Sequence, residues 1–452
     1  GAEYDVVLGG GTLADVSDPH IHHNAFDNNN NENIYSGGAL QLTSAAEDWS
    51  FDNRLENYNP RCEVEEFRLS HNLYNCNDAQ YGNSMANRFH EDEFDMSGSI
   101  FDVFDCGNEQ NEVSSIWVKV EPEASVDYDN GAGQLCAFTD SDVYVDPTIP
   151  QECLDEGCGF ENNPFKTITR TLEMINPTED NPITIHLAAG TYSPETGESF
   201  PIDMISNINI EGEDEVNTIL DAMQISWVMT MEYCENNIIS EITITGSEYD
   251  VWASSHGGMY LDNSNPIITH VTITNNYGHS GAGMRLDYSN PTLTHVTITN
   301  NQGSWGGGMR LEDSNPMLIH VTLANNEGTN GGGMDLVNSS PTLNNITIAD
   351  NTAISGGGMS LSSSNPTLTH VAITNNTAQS KGGGMYLWES NPILINSELK
   401  ENNSTYAGGA ISAWRYSNPT LVNVIINGNQ TEGVGGGISC YEESVPILQN
   451  VI

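Results

Sequence analysis

Two arginines, Arg285 and Arg310, stand 25 residues apart, and each is followed two residues later by an acid, Asp287 or Glu312, with Asp313 next in line. Arginines set among carboxylates could make a cluster with catalytic chemistry. They can equally neutralise one another as a surface ion-pair network worth little energy. The network is the preferred reading, because the other basic residues of this half, such as Lys381 and Arg415, lie far off in sequence. Acid–base cleavage of a glycosidic bond needs two carboxylates facing one groove at a set separation, and no such pair is evident. The aromatics Trp305, Trp388, Trp414 and Tyr288 fall in segments that read as loops, where they could stack on sugars.

Three further groups of residues have the chemistry of metal sites. Asp140, Asp142 and Asp146, and then Asp155 and Glu156, form acidic loops suited to calcium, although no EF-hand or nonapeptide calcium spacing is present. His270, His295, His320 and His370 recur at one position and could form a zinc stripe, but Asn345, Asn396, Asn423 and Asn450 fill the same position elsewhere. His, Asn and Asp are enriched at positive φ, so the column reads as a left-handed bend. Met259, Met284, Met309, Met334, Met359 and Met385 could be mistaken for a copper box; at this spacing they read as core. No catalytic or cofactor-binding set emerges, and calcium is the one metal the composition leaves open.

All these positions are set by a repeat. Pro266, Pro291, Pro316, Pro341, Pro366, Pro392, Pro419 and Pro446 are separated by steps of 25, 25, 25, 25, 26, 27 and 27 residues. Such a period marks a stack of units, none of which buries its apolar face alone. In the unit after Pro291, Leu293, Val296 and Ile298 alternate with threonines, and Met309 and Leu311 flank Arg310. Glycines 306 to 308 and Ser314-Asn315-Pro316 interrupt these short β-branched pieces. Three strands per unit without hairpin turns predict one rung of a right-handed parallel β-helix, with like residues stacked about 4.8 Å apart. The fold class is therefore all-β, a solenoid of rungs near 25 residues. Leu261, Leu286, Leu311, Leu336, Leu361 and Leu387 form a second core column. Asn276, Asn301, Asn326, Asn351, Asn376, Asn402 and Asn429, ten residues after each proline, predict a structural amide stack.

Composition narrows the partners. Twelve Lys plus Arg against 62 Asp plus Glu leave a formal charge of −50, which excludes nucleic acid and disfavours anionic membrane. That charge suits a surface protein in salty water, where screening removes long-range self-repulsion. No run of 18 apolar residues exists to cross a bilayer. Among the eight cysteines, Cys153 and Cys158 are the favoured disulfide and Cys76 and Cys106 could stack in adjacent rungs, which points to an oxidising compartment. Gly1 reads as a processed or truncated start.

The main rod is expected over 143–452. At its start Phe165, Ile168, Leu172 and Ile175 lie on one helical face, followed by the strand-like Ile183-Thr-Ile-His-Leu187 and Ile208-Asn-Ile210. This run resembles pectate-lyase-like right-handed β-helix proteins, and the resemblance implies a short capping helix near 165–175 over the open end of the core. The Gly-Gly-Gly-Met rungs resemble extracellular bacterial β-helix repeat proteins and, more loosely, polymorphic outer-membrane proteins. The pectate-lyase-like superfamily includes polysaccharide lyases, hydrolases and esterases, but the aspartate pairs and the Gly-His-Gly signature of polygalacturonases are missing; Gly278-His279-Ser280 comes nearest. Thr243/Thr245, Thr272/Thr274 and Thr297/Thr299 resemble the Thr-x-Thr rows of ice-binding β-helices, although threonine is also a favoured exposed strand residue and the rows decay at Ala324, Ala349 and Ala372.

Residues 1–110 read as degraded rungs, with Pro19, His23, Phe26 and Asn29, then Leu69, His71, Tyr74 and Asn77, then Phe101 to Cys106; residues 111–142 read as a connector. An acidic insertion from about Ala45 to Arg61 is expected to loop outward. Joining Ile452 to Gly1 would restore both the glycine offset, at Gly9 to Gly11, and the step to Pro19. The expectation is an extracellular or cell-surface, bacterial structural protein, not an enzyme, whose copies stack head to tail into a filament or stalk. The alternative is a carbohydrate-binding adhesin, or a polysaccharide lyase or hydrolase, on the same coil.

Overall fold

In a computed structural model, residues 142–150, 159–175, 177–248 and 257–452 are described, together with short strands within the first 141 residues. The chain forms two compact units, one of 1–145 with 150–183 and the other of 146–149 with 184–452.

In the first unit, strands Ala25–Asp27, Leu73–Asn75 and Ile100–Phe101 pair in parallel, with Phe26 opposite Tyr74 and Tyr74 opposite Phe101. Leu40–Thr43, Met85–Arg88 and Ile116–Lys119 form a second parallel sheet, and Phe67–Arg68, Phe94–Asp95 and Val126–Asp127 a third. Every third strand returns to the same sheet, which is the connectivity of a parallel coil. The unit also holds the helix Ile168–Met174, capped by Thr167, whose Oγ1 accepts the Arg170 N–H at 3.2 Å. Phe165, Ile168, Leu172 and Ile175 are buried as the helical spacing requires. The helix is shorter than the expected 165–175 because Ile175 is already extended at φ −120° and Pro177 follows it closely.

The second unit is a right-handed parallel β-helix. One coil shows how residues make it. The strand Thr292–Thr299 alternates in and out, is broken at His295, and leads through Gln302–Trp305 to Met309–Glu312. Four residues of this coil turn the chain by adopting left-handed φ: His295 at 54°, Asn300 at 56°, Gly306 at 64° and Asp313 at 49°. The His/Asn column is thus a bend throughout, from His270 at 51° to Asn450 at 52°. The first two histidines stack with ring centroids 5.0 Å apart and planes 5° from parallel, an arrangement that aligns rings and does not converge their nitrogens on one ion. Glycine is required at the triple-glycine corner, since a Cβ on Gly308 would lie 2.5 Å from the carbonyl oxygen of Gly333 in the next rung.

Rungs stack in register. Met259, Met284, Met309, Met334, Met359 and Met385 lie opposite one another, as do the leucines from Leu261 to Leu387, and all are fully buried. Each such side chain contributes about 1.5–3 kcal/mol of burial. They line a ten-stranded sheet, here the Met–Leu sheet. The strands beginning at Ile238, Ile267, Thr292, Met317, Thr342 and Thr367 build a second wall, the threonine sheet. The asparagine stack behaves as expected: the Asn301 N–H and Nδ2 donate to Asn326 Oδ1 at 3.0 and 3.1 Å, and Nδ2 also donates to Ile273 O at 3.0 Å. A second ladder runs through the serines of Ser-Asn-Pro, the Ser289 N–H donating to Ser314 Oγ at 2.9 Å. Both ladders satisfy buried backbone at corners where strand pairing lapses.

Candidate functional site

The outward side of the Met–Leu sheet gathers most of the residues singled out for chemistry. Because side chains alternate, the position after each methionine and the position after each leucine point away from the core. The first column reads Tyr260, Arg285, Arg310, Asp335, Ser360 and Tyr386; the second reads Asp262, Asp287, Glu312, Val337, Ser362, Trp388 and Trp414.

Arg285 and Arg310 are neighbours across the sheet and form the ion-pair network expected of them. Arg285 pairs with Asp287 at 2.7 Å, and Arg310 with Glu312 at 3.2 Å. Asp313 does not join; it is the left-handed corner residue, and its N–H donates to Val337 O at 3.1 Å. In its place Arg310 reaches one rung onward to Asp335 at 3.0 Å, and the Asp335 side chain is only 5 % exposed. Tyr260 closes the other end, its hydroxyl donating to Asp287 Oδ2 at 3.3 Å, with the Arg285 guanidinium 5.5 Å from its ring centroid. Arg310 likewise covers Trp305, which stands at the sheet edge, at 5.5 Å. Tyr288, exposed at the opposite edge in a left-handed corner, flanks this ion-paired floor.

Two carboxyls of this floor hold protons unusually well. Burial, with Asp287 and Glu232 nearby, pushes Asp262 up to about 6. Burial also pushes Asp335 up to about 6, with Arg310 pulling in the opposite direction. Burial raises the Tyr260 hydroxyl as well, so it stays a donor. The floor can therefore exchange protons in mildly acidic water, a capacity the acid count alone does not reveal.

A second cluster lies farther along the same face. Trp305, Trp388 and Trp414 are strand residues, not loop residues: Trp305 ends the strand Gln302–Trp305, and Trp388 and Trp414 lie in register because the extra residue ahead of each strand is taken up beside Lys381 or Ala407. Lys381 and Arg415, scattered in sequence, converge here: Lys381 Nζ lies 3.7 Å from the Trp414 ring centroid and the Arg415 guanidinium 4.7 Å from that of Trp388. Tyr441 stacks on Trp414 at 4.3 Å. Arg415 also faces Glu389 at 3.3 Å and Glu442 at 3.5 Å, all three about half exposed and weakly paired.

Other candidates fall elsewhere. Gly278-His279-Ser280 lies on the short strand Tyr277–Ser280, which pairs with Gln302–Trp305 outside the Met–Leu sheet. Asp140, Asp155 and Glu156 lie outside the described residues, as do Cys62, Cys76, Cys106, Cys136, Cys153 and Cys158 and the Gly1 to Pro19 segment. Asp146 Oδ1 accepts the Thr148 N–H at 2.8 Å in a local turn. Among the described residues no cluster of three metal-ligating side chains occurs, and no helix is long and apolar enough to cross a membrane. Cys234 is a buried thiol and Cys440 an exposed one; neither is in a disulfide.

The family described as "Protein of unknown function (DUF1565)" matches residues 154–310. No curated protein matches the sequence. Among solved structures the chain is similar to pectate lyase Pel9A, at 12% identity and TM-score 0.45 over 70% of this chain and 80% of that one. It is also similar to the A-module of mannuronan C-5 epimerase AlgE6 of Azotobacter vinelandii, at 13% and 0.30 over 60% and 91%. Pectin methylesterase PemA from Erwinia chrysanthemi aligns at 10% and 0.28 over 66% and 80%. The parallel β-helix itself rests on the in-register columns of this chain.

Proposed function

We propose that the chain is an extracellular β-helix that binds a neutral polysaccharide lengthwise along the outer face of the Met–Leu sheet. The observation that carries this reading is the convergence of Tyr386, Trp388, Trp414 and Tyr441 with Lys381 and Arg415 on the face that also holds the Arg285–Arg310 ion-pair network. Aromatic rings offer apolar area with few rotors, and paired polar groups beside them orient hydroxyls. From the strand at Met259 to the strand at Ile438 the face extends roughly 34 Å at about 4.8 Å per rung, long enough for several sugar units. Its carboxylates outnumber its cations and the chain carries −50 overall, so a uronate chain is repelled where a neutral one is not. Affinity electrophoresis in gels containing a soluble neutral β-glucan or polygalacturonate tests this. Retardation by the neutral polymer, lost at least ten-fold in Trp388→Ala/Trp414→Ala, supports the proposal. Retardation by polygalacturonate alone, or by neither, refutes it.

End-to-end stacking into a filament is a second reading, favoured by one feature. Leu448 is 52% exposed although it continues the column of Leu421, which is fully buried, and Ile447 beside it is 60% exposed. A further rung, from a continuation of the same chain or from a second copy, would cover both and pair this strand edge. Negative-stain microscopy should then show filaments that Leu448→Asp abolishes. Single short rods at every concentration would dispose of this reading.

A further inference from the structure

Both faces of the Trp414 ring are already covered. Tyr441, from the following rung, stacks on it with centroids 4.3 Å apart and planes 20° from parallel. Lys381 Nζ lies 3.7 Å from the same ring centre. Two groups at contact distance from one centre cannot share a face, so the ammonium sits opposite Tyr441 and closes the side on which a sugar would stack. The indole is pinned between them, its Nε1–H donating to Ser412 Oγ at 3.0 Å.

The two cations of this cluster are held differently. Arg415 crosses Trp388 but is also faced by Glu389 and Glu442. Among the described residues no carboxylate pairs with Lys381, in a chain with 62 acids; its ammonium meets only the rings of Trp414 and, at 5.7 Å, Tyr386. A ring alone holds a part-exposed cation weakly. The backbone beneath is fixed, since the Gly356 N–H donates to Lys381 O at 2.9 Å and Lys381 bridges Ala407. What can swing is the side chain. This edge position carries Trp305, Asn330, Ser355, Ala407 and Val434 in the other rungs, so the cation is particular to the rung that meets Trp414.

We infer that Lys381 is a displaceable cap on Trp414: it occupies the face that a neutral pyranose needs, and the polysaccharide reaches that face by pushing the ammonium into water. The inference rests on the proposed binding of a neutral polysaccharide to this sheet, and it makes Lys381 a determinant of affinity that opposes binding. Affinity electrophoresis of the full chain in a soluble neutral β-glucan tests it, with Lys381→Ala and Lys381→Ser as probes. The coil accepts both, because Ala407 and Ser355 hold this position in the adjoining rungs. Removing the cap should tighten binding about three-fold or more, and the gain should vanish in a Trp414→Ala background, where there is no face to uncover. Unchanged binding in Lys381→Ala overturns the cap and leaves the polysaccharide reading intact. Weaker binding also overturns it, because the ammonium would then hold the sugar. No retardation of the wild type or of Lys381→Ala removes the polysaccharide reading and the cap with it.

Discussion

Two walls of one coil share its rungs and a core yet present opposite surfaces. Outside the Met–Leu sheet, Arg310 is held between Glu312 and Asp335, and the tryptophans carry cations over their rings. Outside the threonine sheet the outward strand positions from Ile238 to Thr374 are uncharged, and acids approach them only where Glu241 contacts His270 and Glu215 accepts from Thr272, until Glu398 and Lys400 pair with each other. The inward columns are alike on both walls, so packing cannot account for the difference. Stability here is written on the inside and specificity on the outside, where a substitution seldom disturbs the stack.

The widest separation between the walls should appear on removing Arg310. Its loss leaves Asp335 buried without a counter-charge, so Arg310→Ala should destabilise the rod by about 3–5 kcal/mol. Thermal and denaturant unfolding would measure this, and a loss below about 1 kcal/mol would mean that the pair is solvated like any surface bridge.

A smaller difference should appear with pH. Asp335 titrates near 6 when folded and near its ordinary value when unfolded, so the folded state binds the extra proton between these limits. Stability from this group is therefore full at low pH and falls as pH rises from about 4 to about 6, by on the order of 3 kcal/mol. Asp335→Asn should flatten that slope in the melting temperature. A slope that persists unchanged would assign it to other groups. Asp262, shifted the same way but more exposed, should contribute less.

The smallest effect belongs to the other wall. Thr297→Ala should change stability by no more than about 0.5 kcal/mol, because its hydroxyl faces outward. A larger loss would show that the threonine rows support the coil itself.

Much of the fold was legible because stacking turns spacing into geometry. The prolines gave the rung length, the methionines and leucines gave the core, and the His/Asn column gave the bend, since few residue types tolerate positive φ. The asparagine ladder followed from a polar residue recurring where backbone must be satisfied. Ser264, Ser289 and Ser314 were harder to read, because serine before Asn-Pro looks like turn punctuation and its part in a ladder depends on the neighbouring rung. Asp335 was missed for a related reason. Reading outward from Arg310 along the chain finds Asp313, whereas the relevant neighbour is the residue after Met334, one rung away. Lys381 and Trp414 converge only because longer rungs place their extra residues outside the Met–Leu strands, where spacing from proline no longer reports position.

Hydroxyl-radical footprinting of the full chain with and without a soluble neutral β-glucan tests the central proposal most directly. Side-chain oxidation of Trp388, Trp414 and Tyr441 should fall several-fold on binding, while that of Met317, exposed on the threonine sheet, should not change. Equal oxidation of the tryptophans in both states, with the glycan demonstrably bound, would place the ligand elsewhere and contradict the proposal.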